Sequence, residues 1–270
     1  MYAKGYGIIE TLAPLHVGAT AGEESGNLNL IFRDPFTQTG IIPGSSIRGR
    51  FRAEMRDRDP SDADFWYGQA PKSNETESKM SESFIKFEYA SIVWLPVFCP
   101  GQPVVWVSCP RLLKRYKRVA DIKDDLPETY TASTALRLPG NAKRLFFNFG
   151  FLDLPNSANL NAWFPDGKER PAIVIDDSEI GMVHDMALFR QSRVKLSDTE
   201  KKVDGGAFFN TEALPEDTIM VFPFAAKEED TLNEWQPFGE TSTPNQDEVY
   251  FGGLESVGFG HCEVTLKHRS

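Results

Sequence analysis

Cysteine and long apolar runs are scarce in this chain of 270 residues. The three cysteines, Cys99, Cys109 and Cys262, are too few and too widely spaced for a disulfide framework or a CxxC metal site. No apolar run approaches the roughly 20 residues that cross a bilayer. The first ten residues also lack the apolar core of a signal peptide. We therefore expect a reduced, cytoplasmic protein that makes no membrane contact.

Positive charge is also in the minority. The chain has 39 Asp and Glu against 29 Lys and Arg, which gives a net charge of −10. Such a chain does not coat nucleic acid through its bulk charge, although a local basic groove is compatible with this balance. The sequence also lacks HExxH, GxSxG and the phosphate-binding loop GxxxxGK[ST]. Zinc proteases, α/β-hydrolases and P-loop NTPases are therefore not indicated.

Against this acidic background, the segment 42-IPGSSIRGRFRAEMRDR-58 carries five arginines. Apolar Ile47, Phe51 and Met55 follow one another at intervals of four residues, the spacing of one helix face. The segment therefore predicts an amphipathic helix that begins at the Pro-Gly-Ser-Ser sequence.

The predicted start of this helix has the features of a phosphate site. We expect Ser45 or Ser46 to cap the helix, whose first N–H groups lack partners within the helix and attract anions. Arg48 and Arg52 are four residues apart, so that they lie on one face and can reach the same anionic oxygens. The alternative is a capped surface helix that binds no ligand.

The remaining pattern predicts an α+β fold with a mainly antiparallel sheet. Runs of β-branched and aromatic residues predict strands at 2–17, 28–33, 84–98, 103–109, 144–154, 172–176 and 217–224, and two strands around a glycine-rich loop within 249–266. A second helix is expected after Cys109-Pro110. The polar composition of 58–83 predicts a mobile insertion, and 180–212 is expected to form a hairpin arm.

Two further features are weak signals on their own. The sequence 252-GGLESVGFG-260 lies between two predicted strands, and Gly258 and Gly260 would let RNA or another chain pack against bare backbone. His16 ends the first predicted strand. For a lone histidine in this position, a structural hydrogen bond is favoured over a role as general base.

Taken in order, six segments resemble one protein family. They are 14-PLHVGA-19, 33-RDPFTQTGIIPGSSIRGRFR-52, 84-FIKFEYASIVWLPV-97, 104-VVWVSCPRLLKR-115, 193-RVKLSDTEKKVDGGAFFNTEALPEDT-218 and 252-GGLESVGFG-260. The succession resembles the RAMP superfamily of CRISPR–Cas proteins over almost the whole chain. More narrowly, it is similar to the repeated backbone subunit of type III Cmr (III-B) effector complexes, with a III-D relative as the open alternative.

This resemblance implies a single elaborated domain over 1–270. Its fold would be a ferredoxin-like (RRM-like) core with an inserted finger region and a thumb β-hairpin over 180–212. The implied partners are a CRISPR guide RNA, complementary target RNA, neighbouring backbone subunits and the large signalling subunit. The resemblance also implies that binding requires no cofactor.

The resemblance also assigns roles to individual residues. The residues that match the guide-binding helix and its neighbouring loop are Ser45, Ser46, Arg48, Arg52, Gly258 and Gly260. In the thumb, Met182, Met186 or Phe189 is expected to wedge between bases, at a cost of a few kcal/mol of unstacking.

One departure from the family pattern concerns catalysis. Active relatives carry a catalytic aspartate shortly before the RDP motif, and this chain has Leu28 at that position. Leucine neither binds a hydrated cation nor acts as a base, so we expect a subunit without its own catalytic residue. The alternatives are an Mg²⁺- or Mn²⁺-dependent endoribonuclease that uses Glu23 or Glu24, and a guide-processing endonuclease that uses His16. The thumb disfavours the second.

Overall fold

The computed structural model describes residues 2–19, 28–68, 82–138, 143–196, 203–227, 232, 234–239 and 245–269. The strands are β1 (Ala3–Thr11), β2 (Leu28–Asn29), β3 (Ile41–Ile42), β4 (Ile85–Phe87), β5 (Ala90–Cys99), β6 (Gln102–Ser108), β7 (Thr131–Ser133), β8 (Arg144–Phe147), β9 (Gly150–Asp153), β10 (Asn156–Ala158), β11 (Ala172–Val174), β12 (Phe189–Leu196), β13 (Val203–Ala213), β14 (Ile219–Ala226), β15 (Gln246–Tyr250) and β16 (His261–His268). The helices of the described ranges are α1 (Gly44–Arg58), α2 (Pro60–Tyr67), α3 (Pro110–Ala120) and α4 (Ile180–Ala187). The predicted α+β class is confirmed.

Within the part of the chain that the structure describes, eleven strands form the central sheet. Their order is β10-β7-β11-β6-β5-β14-β1-β16-β15, with β3 next to β5 and β4 next to β14. In the middle of the sheet, Ile9 of β1 is paired with Met220 of β14 and with Val264 of β16, both antiparallel. The pairs β10–β7 and β11–β6 are parallel, so the sheet is mainly but not entirely antiparallel.

Helices α1 and α3 cover opposite faces of this sheet. Successive residues of a strand point to opposite faces, and the neighbours Ile8 and Ile9 belong to separate buried clusters. Ile9 lies in the cluster of Phe51 from α1, and Ile8 lies in the cluster of Tyr116 from α3. Because both faces are covered, β5 is buried from Ala90 to Val97.

Helix α1 packs against the sheet through the same apolar residues whose spacing predicted the helix. Ile47, Phe51 and Met55 are buried. The ring of Phe51 is fully buried and lies near a group of aromatic side chains: Phe87, Phe222, Trp235, Phe238 and Phe251. Burial of one such side chain contributes about 1.5–3 kcal/mol, so this face fixes the position of α1 on the sheet.

Among the described strands, three form a second sheet that is not hydrogen-bonded to the first. Strands β12 and β13 form an antiparallel hairpin, and β2 pairs in parallel with β13 through Leu28 and Asn29. The predicted arm over 180–212 is wrong in its first part, because residues 180–187 form α4. Ile180, Val183 and His184 are buried at helical spacing, and this periodicity overrides a strand. The predicted tip at 197–202 lies outside the described residues.

Two other predictions need correction. The first strand ends at Thr11 rather than at residue 17. Within the predicted insertion, Pro60–Tyr67 is helix α2, where the Asp59 side chain accepts hydrogen bonds from the Ser61 and Asp62 amides and Pro60 occupies the first turn. Residues 69–81 lie outside the described ranges.

Other fold predictions remain predictions. The ferredoxin-like core and the single domain over 1–270 are not tested by the strand pairing alone. Within the described ranges, no helix is long and apolar enough to cross a membrane.

Candidate functional site

The start of α1 differs from the predicted capped terminus. Pro43 occupies the N-cap position, and no side chain caps the helix. Gly44 is required there because a Cβ at this residue would lie 2.6 Å from the carbonyl oxygen of Phe87. Ser45 is exposed and Ser46 is half-buried, so neither serine is used as a cap. Their hydroxyl groups are left for other partners.

Arg48 and Arg52 lie on the same helix face, as predicted, and both contact α2. The Arg48 guanidinium donates to the carbonyl oxygen of Tyr67, and Arg52 Nη2 lies 3.1 Å from Asp64 Oδ1. The Arg52 side chain is 26% exposed, so part of this face is open to solvent. The structure therefore places the two arginines against an element that the sequence interpretation had missed.

A shallow cleft of about 290 Å³ adjoins this face. Ser45, Arg48 and Lys86 are among its lining residues, together with Glu82, which is paired with Lys86 at 2.6 Å. The cleft thus joins the positive end of the α1 dipole to two side-chain cations. This arrangement suits an anionic group.

Arg50 lies on the other side of α1 and contacts the glycine-rich loop. Its Nη1 atom lies 3.4 Å from Glu255 Oε1, and its Nη2 atom contacts Glu54 one turn along the helix. The side chain is partly buried, at 28% exposure. Arg50 therefore contacts the loop that contains Gly258 and Gly260, whereas Arg48 and Arg52 contact α2.

Hydrogen bonds to the segment 14–16 hold both ends of the glycine-rich loop. Gly253 N donates to His16 O at 3.0 Å, and Gly260 N donates to Pro14 O at 2.9 Å. Gly252 has φ +78°, and a Cβ there would lie 2.1 Å from His16 O. By contrast, a Cβ at Gly258 would meet open space, so the exposed backbone at 258 is accessible to a partner.

The structure gives His16 a structural contact. Its Nδ1 atom lies 2.6 Å from the carbonyl oxygen of Glu212, and since that oxygen only accepts, Nδ1 carries the proton. The side chain is buried, and its backbone oxygen also holds the glycine-rich loop. These contacts connect the loop to the base of the β12–β13 hairpin.

An ion-pair network at this base was not predicted from the sequence. The Arg33 guanidinium lies 2.6 Å from Asp185 and 2.9 Å from Glu212, and Arg190 lies 3.2 Å from the other Glu212 oxygen. The Glu212 carboxylate is only 4% exposed. Arg33 and Glu212 are 179 residues apart, and no local pattern signals such a pairing.

Another buried group lies beside this network. His184 of α4 is fully buried, and its Nε2 atom accepts a hydrogen bond from Gly40 N at 2.9 Å. Burial, together with the positive charge of Arg33, lowers the pKa of His184 to about 3. His184 is therefore neutral at physiological pH and serves as an acceptor.

The three predicted wedge residues are exposed, although not on one hairpin. Met182 and Met186 are 50% and 41% exposed on α4, four residues apart and therefore on one helix face. Phe189 begins β12, is 40% exposed, and has its ring 6.0 Å from that of Phe259 in the glycine-rich loop. Exposed apolar side chains thus lie beside the loop and at the base of the hairpin.

The position expected for a catalytic aspartate lies in β2. Leu28 is half-buried there and pairs with Asn210 of the hairpin. The alternative acids, Glu23 and Glu24, lie outside the described residues. Within the described ranges, no three His, Cys, Asp or Glu side chains could together hold a metal ion, and the residues around Leu28 do not fit a divalent cation.

A family comparison matches the RAMP superfamily model over residues 8–263. The chain belongs to the RAMP superfamily. No curated protein sequence matches this RAMP chain.

Solved structures with the same fold include chains of type III-B Cmr-beta and of Cmr4. The apo state of a type III-B Cmr-beta complex matches with TM-score 0.71 and 19% identity, over 98% of this chain and 97% of that chain. The Cmr-beta complex bound to cognate target RNA matches with TM-score 0.71 and 20% identity, over 97% and 96%. Oligomeric Cmr4 from Pyrococcus furiosus matches with TM-score 0.71 and 18% identity, over the full length of both chains.

Proposed function

We propose that this RAMP protein is an RNA-binding backbone subunit of a type III CRISPR effector complex, of the Cmr type. Its partners would be a guide RNA, the complementary target RNA, neighbouring backbone subunits and the large signalling subunit. The observation that carries the proposal is the juxtaposition of α1, the glycine-rich loop and the base of the β12–β13 hairpin. Three contacts link these elements in succession. The Arg50–Glu255 pair joins α1 to the loop, and the Gly253–His16 and His16–Glu212 hydrogen bonds join the loop to the hairpin through His16.

The chemistry of this surface suits a phosphate backbone of any sequence. Ser45, Arg48 and Lys86 line the cleft at the start of α1, and Gly258 presents open backbone. Phosphate contacts position a strand without reading its bases, as a variable guide requires. The exposed Met182, Met186 and Phe189 supply apolar surface against which bases can pack.

The proposal is tested by replacing Arg48 and Arg52 with Ala in the full chain. Each lost phosphate contact lowers the slope of log K against log salt by about 0.7 for single-stranded RNA, so the double variant should lose about 1.4. Fluorescence anisotropy with a labelled single-stranded RNA across a salt series measures this slope. Arg56→Ala, an exposed residue of the same helix, is the matched control and should leave affinity unchanged. Unchanged affinity and slope in the double variant would contradict the assignment of α1.

We further propose that this subunit does not itself cut the target RNA. The support is Leu28, a hydrocarbon side chain where active relatives are expected to carry an aspartate. In the assembled complex with Mg²⁺ or Mn²⁺, complementary RNA should stay intact at this subunit. Cleavage that Glu23→Ala or Glu24→Ala abolishes would establish the nuclease alternative. Leu28→Asp tests whether the position alone can restore cutting.

A further inference from the structure

A second basic cavity lies on the sheet face opposite to α1. Its volume is about 350 Å³, and it is lined by Lys4 of β1, Ala225 of β14 and Arg118 in the last turn of α3. Lys4 and Ile8 are four residues apart on β1 and so point to the same face, the one that packs against α3. The cavity therefore lies where α3 ends and the sheet continues.

Strand register places two cations of this cavity, Lys4 and Lys86, on either side of one residue. Ala225 is paired with Lys4 on one side and with Lys86 on the other. The two lysines therefore extend from the same face, with about 10 Å between their Cα atoms, since adjacent strands are 4.7–4.9 Å apart. Ala225, which also lines the cavity, lies between them on β14. The small apolar side chain of Ala225 is therefore flanked by two lysines.

Cations outnumber carboxylates in this cavity. Its charged lining residues are Lys4, Lys86, Arg118, Arg269 and Glu88. The side chains of Lys4 and Arg118 make no hydrogen bond or ion pair with any other residue that the structure describes.

The neighbouring carboxylates are already shared. Glu88 pairs with Arg115, Glu82 pairs with both Lys86 and Lys227, and Asp121 pairs with both Lys123 and Arg269. The excess of positive charge therefore persists after these pairs are formed, in a chain whose net charge is −10.

We propose that this cavity is a second phosphate-binding site, which takes a nucleotide phosphate between Lys4, Lys86 and Arg118. Two sources share this chemistry: a phosphodiester of a bound RNA strand, and a free nucleotide. Binding of an RNA phosphodiester rests on the proposed function, whereas binding of a free nucleotide does not.

The location of the cavity favours a strand over an acidic protein. The cavity shares Lys86 and Phe87 with the cleft at the start of α1, so the two cavities meet at β4, an edge of the central sheet. A polyanion that passes over this edge would contact both cavities in succession. An RNA strand is such a polyanion, because each nucleotide carries one phosphate charge.

The test replaces Lys4 and Arg118 with Ala in the full chain. Both side chains are exposed and unpaired within the described ranges, so the variant is expected to fold. The matched control is Lys143→Ala with Lys168→Ala, which removes two exposed cations elsewhere. A charge-keeping variant, Lys4→Arg with Arg118→Lys, should retain binding. Binding of three phosphate probes is measured across a salt series: single-stranded RNA, a fluorescent ADP analogue and pyrophosphate. Poly-glutamate is measured in parallel as an acidic polypeptide without phosphate.

The expected result is about a tenfold loss of RNA affinity, with a salt slope lower by about 1.4, in the Ala variant alone. Unchanged RNA binding with loss of ADP and pyrophosphate binding would assign the same site to a free nucleotide. An equal loss in the control, or no loss for any of the three probes, would overturn the proposal. Loss of poly-glutamate binding alone would overturn it in favour of a protein partner. Arg48→Ala with Arg52→Ala in the same assay reports on α1 separately, so either assignment can fail without the other.

Discussion

Replacing Glu212 with Gln removes the charge that joins the β12–β13 hairpin to the rest of the protein, while keeping the volume of the side chain. The carboxylate is 4% exposed and accepts from Arg33 at 2.9 Å and from Arg190 at 3.2 Å. In the variant, two guanidinium groups lose their buried counter-charge. We expect the stability of the chain to fall.

The surroundings set the size of this loss. Removing one partner of a fully buried ion pair lowers the free energy of unfolding by about 3–5 kcal/mol. Arg33 is 22% exposed and keeps Asp185 at 2.6 Å, while Arg190 is 48% exposed and regains water. We therefore expect about 2 kcal/mol for Glu212→Gln, below the fully buried range. For a chain of this length, that lowers Tm by roughly 4 °C.

Urea unfolding and thermal melts measure the change. Glu255→Gln is the matched control, since Glu255 pairs with Arg50 at 3.4 Å near the surface, where such pairs contribute about 0–1 kcal/mol. Arg33→Gln completes a double-mutant cycle with Glu212→Gln, and we expect a coupling of at least about 1 kcal/mol. A loss no larger than that of Glu255→Gln, or additive effects in the cycle, would refute the argument from burial.

Three other changes test different parts of the structure. His184 is buried in its neutral form, and its pKa is 6.5 in the unfolded chain and about 3 in the folded protein. The resulting contribution to the free energy of unfolding is fully present above pH 6.5 and is lost as the pH falls toward about 3. His184→Gln, which keeps an acceptor for Gly40 N, should therefore reduce the slope of stability between pH 6 and pH 4 by about 1.4 kcal/mol per pH unit; equal slopes would contradict this. Gly252→Ala should destabilise by at least about 1–3 kcal/mol because its Cβ would meet His16 O at 2.1 Å, whereas Gly253→Ala, with nothing within 4 Å, should change stability by less than about 1 kcal/mol in urea unfolding. Phe51→Ala should cost about 3–5 kcal/mol in the same measurement because the ring is fully buried, and a cost below about 1 kcal/mol would exclude its central position.

Periodic apolar patterns predicted the elements because each helix or strand must place apolar residues on the face that packs against the core. The four-residue spacing of Ile47, Phe51 and Met55 predicted α1, and these three side chains are buried in the structure. The strands around the glycine-rich loop were also predicted. The error at 180–187 arose because Ile180, Val183 and His184 form a helix of only two turns, whose period is hard to recognise beside a strand.

Contacts between distant residues could not be predicted in this way. The four-residue spacing placed Arg48 and Arg52 on one face, but their partners Tyr67 and Asp64 lie on α2, a helix inside the segment expected to be an insertion. Arg50, by contrast, contacts Glu255 across 205 residues. The partner of a surface charge depends on which elements pack next to it, and local spacing carries no information about that choice.

The sequence by itself determined the α+β class, the course of α1, the glycine-rich loop and the hydrocarbon side chain of Leu28. Each of these depends on residues close together in the chain, through helix period, strand alternation or side-chain chemistry. Only the tertiary structure decided that Glu212 joins Arg33, Arg190 and His16, and that Lys4, Lys86 and Arg118 line one cavity. Strand register and helix packing bring these groups together, because the buried apolar contacts that set them join segments far apart in the chain.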